Sequence, residues 1–221
     1  MANETRTVAG LRGVVLRGFG TLEIEQNPEA AGKETVVIEA DPAILGRITT
    51  EVRAGRLEIG VGMPWYEWPT WWIRWLLASD KRLSFHLTAA TLAYVGITGA
   101  GRITAARLSA DTLEAAISGA GKISLAGVRA ERLSSHVSGA GSFELAGGAE
   151  RHDVSISGAG SVRASGLATK HTTASISGSG SLAASVSDAL DVSISGAGSV
   201  SYSGNPKVSQ RVSGAGRVRA V

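Results

Sequence analysis

The chain has 221 residues, of which 43% are hydrophobic and 19% charged, with 29 glycines, 5 prolines and no cysteine. That is enough apolar material for a core, and it excludes a disordered polyelectrolyte, a collagen-like repeat, disulfides, and cysteine-based catalysis or zinc binding. A net charge of +3 without a basic cluster argues against a nucleic-acid partner.

The first seven residues, Met-Ala-Asn-Glu-Thr-Arg-Thr, contain no apolar h-region, so no signal peptide is expected in the chain as given. No apolar run reaches the ~20 residues of a membrane-spanning helix. Residues 16–24 alternate apolar and variable positions around Gly18-Phe19-Gly20. Segments 35–40, 48–52, 56–61 and 83–87 read as strands. Residues 50–59 also fit a local hairpin turning at Ala54-Gly55.

All five tryptophans, Trp65, Trp68, Trp71, Trp72 and Trp75, fall between the segments 56–61 and 83–87. The part after Pro69 suits a short helix with Thr70 as N-cap and Trp68, Trp71 or Trp72, and Trp75 on one face. Leaving so much apolar surface in water costs about 25 cal/mol per Å². These tryptophans are therefore the candidate contact residues. Four partners stay open: the rest of the chain as a cap, a second copy in a homo-oligomer, a membrane surface, and a glycan.

From residue 97 the chain repeats. Gly-x-Gly recurs at Gly99/Gly101, Gly119/Gly121, Gly139/Gly141, Gly158/Gly160, Gly178/Gly180, Gly196/Gly198 and Gly214/Gly216, and the early Gly18/Gly20 fits the same template. In the seven regular copies a hydroxyl precedes each tripeptide (Thr98, Ser118, Ser138, Ser157, Ser177, Ser195, Ser213) and a β-branched apolar residue precedes that. Alternation on both sides of the tripeptide describes two half-buried strands, and paired glycines permit the positive φ of a sharp turn. Coils of 18–20 residues are too short for helical-hairpin repeats and lack leucine-rich-repeat signatures. The expected fold is all-β, a single-stranded right-handed parallel β-helix (solenoid) with Gly-x-Gly corners, apolar ladders inside and the hydroxyl ladder bonded at the corner. The 81 residues from Gly18 to Gly99 correspond to about four coils, which predicts roughly ten coils and a rod of about 50 Å. The expected layout is one domain over 1–221: N-terminal coils at 14–61, a Trp-rich insertion at 62–80, and regular coils at 81–221.

No catalytic or cofactor constellation is expected. His86, His136, His152 and His171 sit at unmatched offsets from the corners, so stacked metal ligands are not expected. His152 and Asp153 are adjacent, point to opposite faces, and read as solvated surface. The carboxylates do not recur at one coil position, as a β-helical lyase or hydrolase would need. The residue after each Gly-x-Gly is never Asp, which excludes the calcium-binding nonapeptide. No Gly-Lys-Ser/Thr follows any Gly-x-Gly, which excludes a phosphate loop. Arg211, Arg217 and Arg219 in the last coil suit an anionic partner or, more simply, charges that guard an exposed edge.

The Ile-Ser-Gly-Ala-Gly-x-Ile/Val units, the strand at 16–24 followed by Glu25-Gln26, and the run 83–101 together resemble the head GIN domain family of auto-transporter adhesins. The resemblance runs from about residue 14 to 221, with the Trp-rich stretch departing from it. It implies a right-handed β-helix on exported envelope proteins and carries no catalytic residues. The functional expectation is a non-enzymatic structural or binding module of the cell envelope or cell surface. The alternatives are a self-assembling scaffold held on a membrane by the tryptophans, with rods also meeting at coil ends, and a polysaccharide-active enzyme.

Overall fold

The computed structural model describes residues 2–61 and 83–221. Its strands form one hydrogen-bonded system that winds as a parallel β-solenoid. The N-terminal region comprises β1 (Ala2–Val8), β2 (Gly13–Gly18), β3 (Thr21–Gln26), a 3-10 turn (Pro28–Ala30), β4 (Glu34–Ala40), a four-residue helix (Pro42–Leu45), β5 (Ile48–Arg53), β6 (Arg56–Val61) and β7 (Ser84–Ala89). The regular part runs through β8 (Tyr94–Gly99), β9 (Arg102–Ala105), β10 (Leu108–Gly119), β11 (Lys122–Gly139), β12 (Ser142–Gly158), β13 (Ser161–Gly178), β14 (Ser181–Gly196), β15 (Ser199–Ser203), β16 (Lys207–Gly214) and β17 (Arg217–Ala220). Each regular coil pairs in parallel with the next, and Gly99, Gly119, Gly139, Gly158, Gly178, Gly196 and Gly214 stack one on another.

Alternation decides what goes inside. The residue two before the corner is buried in Ile97, Ile117, Val137, Ile156, Ile176 and Ile194. So is the second residue after it, in Ile103, Ile123, Phe143, Val162, Leu182 and Val200. Equivalent positions stack every ~4.8 Å, so the core is a set of continuous apolar ladders.

The N-terminal region departs from the simple stack. Strand β2 pairs directly with β8, placing Gly18 on Gly99, and β3 pairs with β9. The 81 residues between those glycines are therefore not four coils inserted between them. They flank the β2–β3 coil on its other side: β6 pairs parallel with β2, and β7 pairs parallel with β3. Beyond these, β4 runs antiparallel to β7 and β1 antiparallel to β4. Among the described residues eight corners stack, spanning about 34 Å at the usual strand spacing, and β7, β4 and β1 lengthen the column of post-corner strands to about 48 Å, close to the 50 Å expected though not by regular coils.

Strands β5 and β6 form the antiparallel hairpin, with Arg53 opposite Arg56. Its two turn residues, Ala54 (φ 50°) and Gly55 (φ 75°), both take the left-handed conformation that a two-residue hairpin requires.

Candidate functional site

The tryptophans Trp65, Trp68, Trp71, Trp72 and Trp75 lie outside the described residues, as does the short helix expected after Pro69. The glycine corners lie within them, and the two glycines of a regular corner serve different purposes. At Gly139 the backbone has φ +115°, and a Cβ there would sit 2.6 Å from the Gly119 carbonyl oxygen one coil below. Gly141 does not have positive φ. A Cβ on it would lie 2.4 Å from Ile117 Cγ2 in the core. The first glycine thus makes the turn, and the second leaves room for the apolar ladder.

The same division runs the length of the stack and corrects the expectation that both glycines of a pair supply positive φ. Gly101, Gly121, Gly160, Gly180, Gly198 and Gly216 also lack it. A Cβ on Gly101 would meet Leu16 at 2.6 Å, one on Gly121 would meet Ile97 at 2.6 Å, and one on Gly160 would meet Val137 at 2.4 Å. For Gly180, Gly198 and Gly216 the obstructing side chains are Ile156 at 2.5 Å, Ile176 at 2.7 Å and Ile194 at 2.7 Å. These six, like Gly141, are glycine because the inward side chain of the preceding coil fills the space beside them. Only at Gly18 and Gly20 do both members of a pair take positive φ. The ladder of backbone bonds continues around the corner, with Ala140 N donating to Gly119 O at 2.9 Å and Ser142 N to Gly121 O at 2.9 Å.

The hydroxyl column is exposed rather than tied down. Thr98, Ser118, Ser138, Ser157, Ser177, Ser195 and Ser213 all face solvent. Among the described residues their hydroxyls make no intramolecular hydrogen bond, contrary to the corner ladder expected. The reason is geometric: one residue from an inward Ile or Val, alternation turns these side chains outward.

His152 is likewise not at the surface. It is 1% exposed and stacks on the inward column beside Leu133. Its Nε2 lies 3.0 Å from the Ser135 hydroxyl, and its Nδ1 is buried without a partner. Burial lowers its pKa from 6.5 to about 4, so the ring is neutral at pH 7. A coil further on, the buried hydroxyls of Thr169 and Thr172 lie 2.9 Å apart, and Thr169 also donates to Ser185 O at 2.8 Å. Sequence reasoning missed this polar seam in the core. The signal was there, since His152 and Thr172 occupy the alternation position held by Leu133 and Leu190. His86 stands between Glu23 (3.2 Å) and Glu39 (4.0 Å). Among the described residues no group of three His, Asp or Glu side chains is arranged to hold a metal ion.

Two clefts open on the flanks of the C-terminal coils. The larger, about 730 Å³, crosses four coils over Ala130, Ala149, Ala168 and Val186. Arg129 lines it too, as does the Lys170–Glu150 ion pair at 2.7 Å. That pair holds the Glu150 carboxyl below its ordinary value and raises the Lys170 ammonium.

The second cleft, about 500 Å³, lies on the strands after the corner. Two outward columns meet in it. One runs Ser161, Ser181, Ser199, Arg217 and the other Arg163, Ala183, Ser201, Arg219. The two middle rungs carry only small side chains, so the surface dips between Arg163 at one end and Arg217 with Arg219 at the other. Arg163 shares the Glu144 carboxylate (3.2 Å) with Lys122 (2.7 Å). Glu144 is held below the usual carboxylate range, chiefly by its hydrogen bond from Lys122.

Stacked Gly-x-Gly corners, continuous apolar ladders and clefts formed across several coils define a parallel β-solenoid. Residues 13–206 match the family described as "Putative auto-transporter adhesin, head GIN domain", and the chain belongs to that family. No curated protein matches the sequence. Several solved structures share the fold. A "putative adhesin" from Bacteroides fragilis is 20% identical with a TM-score of 0.85, over 100% of this chain and 96% of its own. A "Putative lipid binding protein" from Parabacteroides distasonis is 18% identical with a TM-score of 0.75, over 99% and 96%. A "putative adhesin" from Parabacteroides merdae is 20% identical with a TM-score of 0.72, over 100% and 95%. At these identities the shared property is the fold. Among the described residues no helix is long and apolar enough to cross a membrane.

Proposed function

We propose that this chain is a non-enzymatic binding domain displayed at the cell envelope, an adhesin-like scaffold that engages extended ligands along its flank. The observation that carries this reading is the register itself. Stacked coils repeat the same outward column every ~4.8 Å on a rigid backbone, and both clefts run across several coils. Such a surface matches a ligand that is itself a repeating chain. The family description and the names of the structural neighbours point the same way. Antibody labelling of unpermeabilised source cells, before and after protease shaving, tests it. Surface signal that shaving removes is expected, and a signal seen only after lysis overturns the reading.

A second reading assigns Trp65, Trp68, Trp71, Trp72 and Trp75 to a membrane surface, where tryptophan suits the interfacial depth. The lipid-binding description of one structural neighbour favours it. Liposome flotation of the full chain is expected, and lost when all five become serine. No flotation, or flotation unchanged by the substitutions, excludes the membrane role and leaves a cap, a self-association contact or a glycan contact for these residues. Sedimentation of the two proteins then separates self-association from the other two.

A further inference from the structure

We propose that the cleft between Arg163 and the pair Arg217/Arg219 binds an anionic oligosaccharide. The guanidinium groups at its two ends hold the carboxylate or sulfate groups of the sugar chain, and the serines between them take its hydroxyls. This deepens the surface-binding reading above and rests on it.

The charge at this end of the solenoid is one-sided. After Asp191 the sequence contains no acidic residue, while Lys207, Arg211, Arg217 and Arg219 follow. Among the described residues neither Arg217 nor Arg219 has a carboxylate partner. Both are exposed, and both line the cleft. Arg163 is only partly neutralised, because Glu144 is shared with Lys122. Three guanidiniums therefore face one depression with a single carboxylate beside them. Arginine is the cation whose planar fork pairs with carboxylate or sulfate through two parallel hydrogen bonds.

The shape narrows the ligand further. The rung carrying Arg163 and the rung carrying Arg217 and Arg219 are three strand spacings apart, about 14 Å. The floor between them consists of half-buried Ser181, Ala183 and Ser201 with Ser199. A floor of hydroxyls set between cations at both ends suits a hydroxylated chain with charges some distance apart. A single small anion would reach only one end. A flat bilayer would meet the protruding groups and not the recessed floor. No aromatic ring lines the cleft for nucleobases to stack on, which disfavours single-stranded nucleic acid.

Calorimetric titration of the full chain at physiological ionic strength tests the proposal. The probes are a heparin-derived tetrasaccharide, carrying sulfate, and tetragalacturonate, carrying only carboxylate. Binding of at least one is expected, and which one binds identifies the anion. The double variant Arg217→Ala/Arg219→Ala is expected to weaken binding about tenfold or more. Ser181→Asp, which places a negative charge on the floor, should do the same while sparing every arginine. The Lys33→Ala/Arg107→Ala variant removes the same charge away from the cleft and is expected to bind like the unmodified chain. Circular dichroism confirms that each variant is folded. No binding of either sugar, equal loss in the Lys33/Arg107 variant, or equally tight binding of an oligothymidylate of matching charge overturns the proposal. Failure here with surface display intact leaves the scaffold reading standing. Sugar binding by a protein found only inside cells would instead sink that reading and preserve the cleft.

Discussion

The side-chain amide of Gln26 and the backbone of Ser109 hold each other in both directions. Ser109 N donates to Gln26 Oε1 at 2.6 Å, and Gln26 Nε2 donates to Ser109 O at 2.9 Å. The same Nε2 donates to Ala90 O at 3.2 Å. One amide thus acts as a missing strand partner where β3 ends and β10 begins, 83 residues apart in sequence. Gln26→Leu leaves three backbone groups to water at a largely exposed seam, and is expected to destabilise the chain by about 0.5–1.5 kcal/mol in urea denaturation. Gln26→Glu keeps the acceptor and loses the donor, so it should fall between the two. A Leu variant as stable as the parent would show that the clamp contributes nothing net.

At the corners, Gly139→Ala should cost about 1–3 kcal/mol, because alanine is forced into positive φ against the Gly119 carbonyl. Gly141→Ala should cost a similar ~1–3 kcal/mol by overpacking against Ile117. The two mechanisms separate in the pair Gly141→Ala/Ile117→Ala, which removes the obstructing Cγ2 and should cost less than the sum of its two single changes. Ala140→Ser, at the exposed middle position where Ser179 already stands in another copy, should change stability by less than about 0.5 kcal/mol. Equal effects at all three positions would contradict the separate roles given to the two glycines.

His152 makes stability depend on pH. Its pKa is depressed in the folded chain, to about 4 from 6.5, so between these values the unfolded chain binds the extra proton. Stability contributed by the neutral ring is therefore complete above pH 6.5 and declines as pH falls toward 4, by about 3 kcal/mol in all. In the double variant Ser135→Ala/His152→Leu a leucine continues the Leu133 column and no hydroxyl is orphaned. Thermal melts across this range should show a shallower acid limb for the variant. An unchanged slope would place the acid sensitivity elsewhere.

Phe143 fills the inward column between Ile123 and Val162 and is fully buried. Phe143→Ala should cost about 3–5 kcal/mol, and Phe143→Leu distinctly less, since the neighbouring rungs already accept aliphatic side chains. Paired denaturation curves check both. Similar curves for parent and Ala variant would mean the ladder does not pack as continuously as its register implies.

Much of this molecule is legible without coordinates. Period-2 alternation around each Gly-x-Gly specifies two strands and a turn, and repetition of that unit leaves parallel stacking as the one arrangement that buries every Ile/Val column. The Ala54-Gly55 hairpin is legible for the same reason, because its turn chemistry is local. What failed involves non-local pairing or the distinction between two uses of one residue type. Spacing counts 81 residues between Gly18 and Gly99, but only the register shows these glycines as direct neighbours. His152 reads as surface because its polarity outweighs its place in the alternation. Gly141 reads as a turn residue, as do Gly101, Gly121, Gly160, Gly180, Gly198 and Gly216, because glycine is also what a crowded core demands.

The sequence by itself determined the coil, its corner, its inward columns and the family, since each is a local pattern repeated often enough to admit a single packing. Only the tertiary structure decided which coils are neighbours, that Gln26 reaches Ser109, and that Arg163 faces Arg217 and Arg219 across a serine floor. Those relationships join residues tens of positions apart, and their energy exists only once the chain has been wound into register.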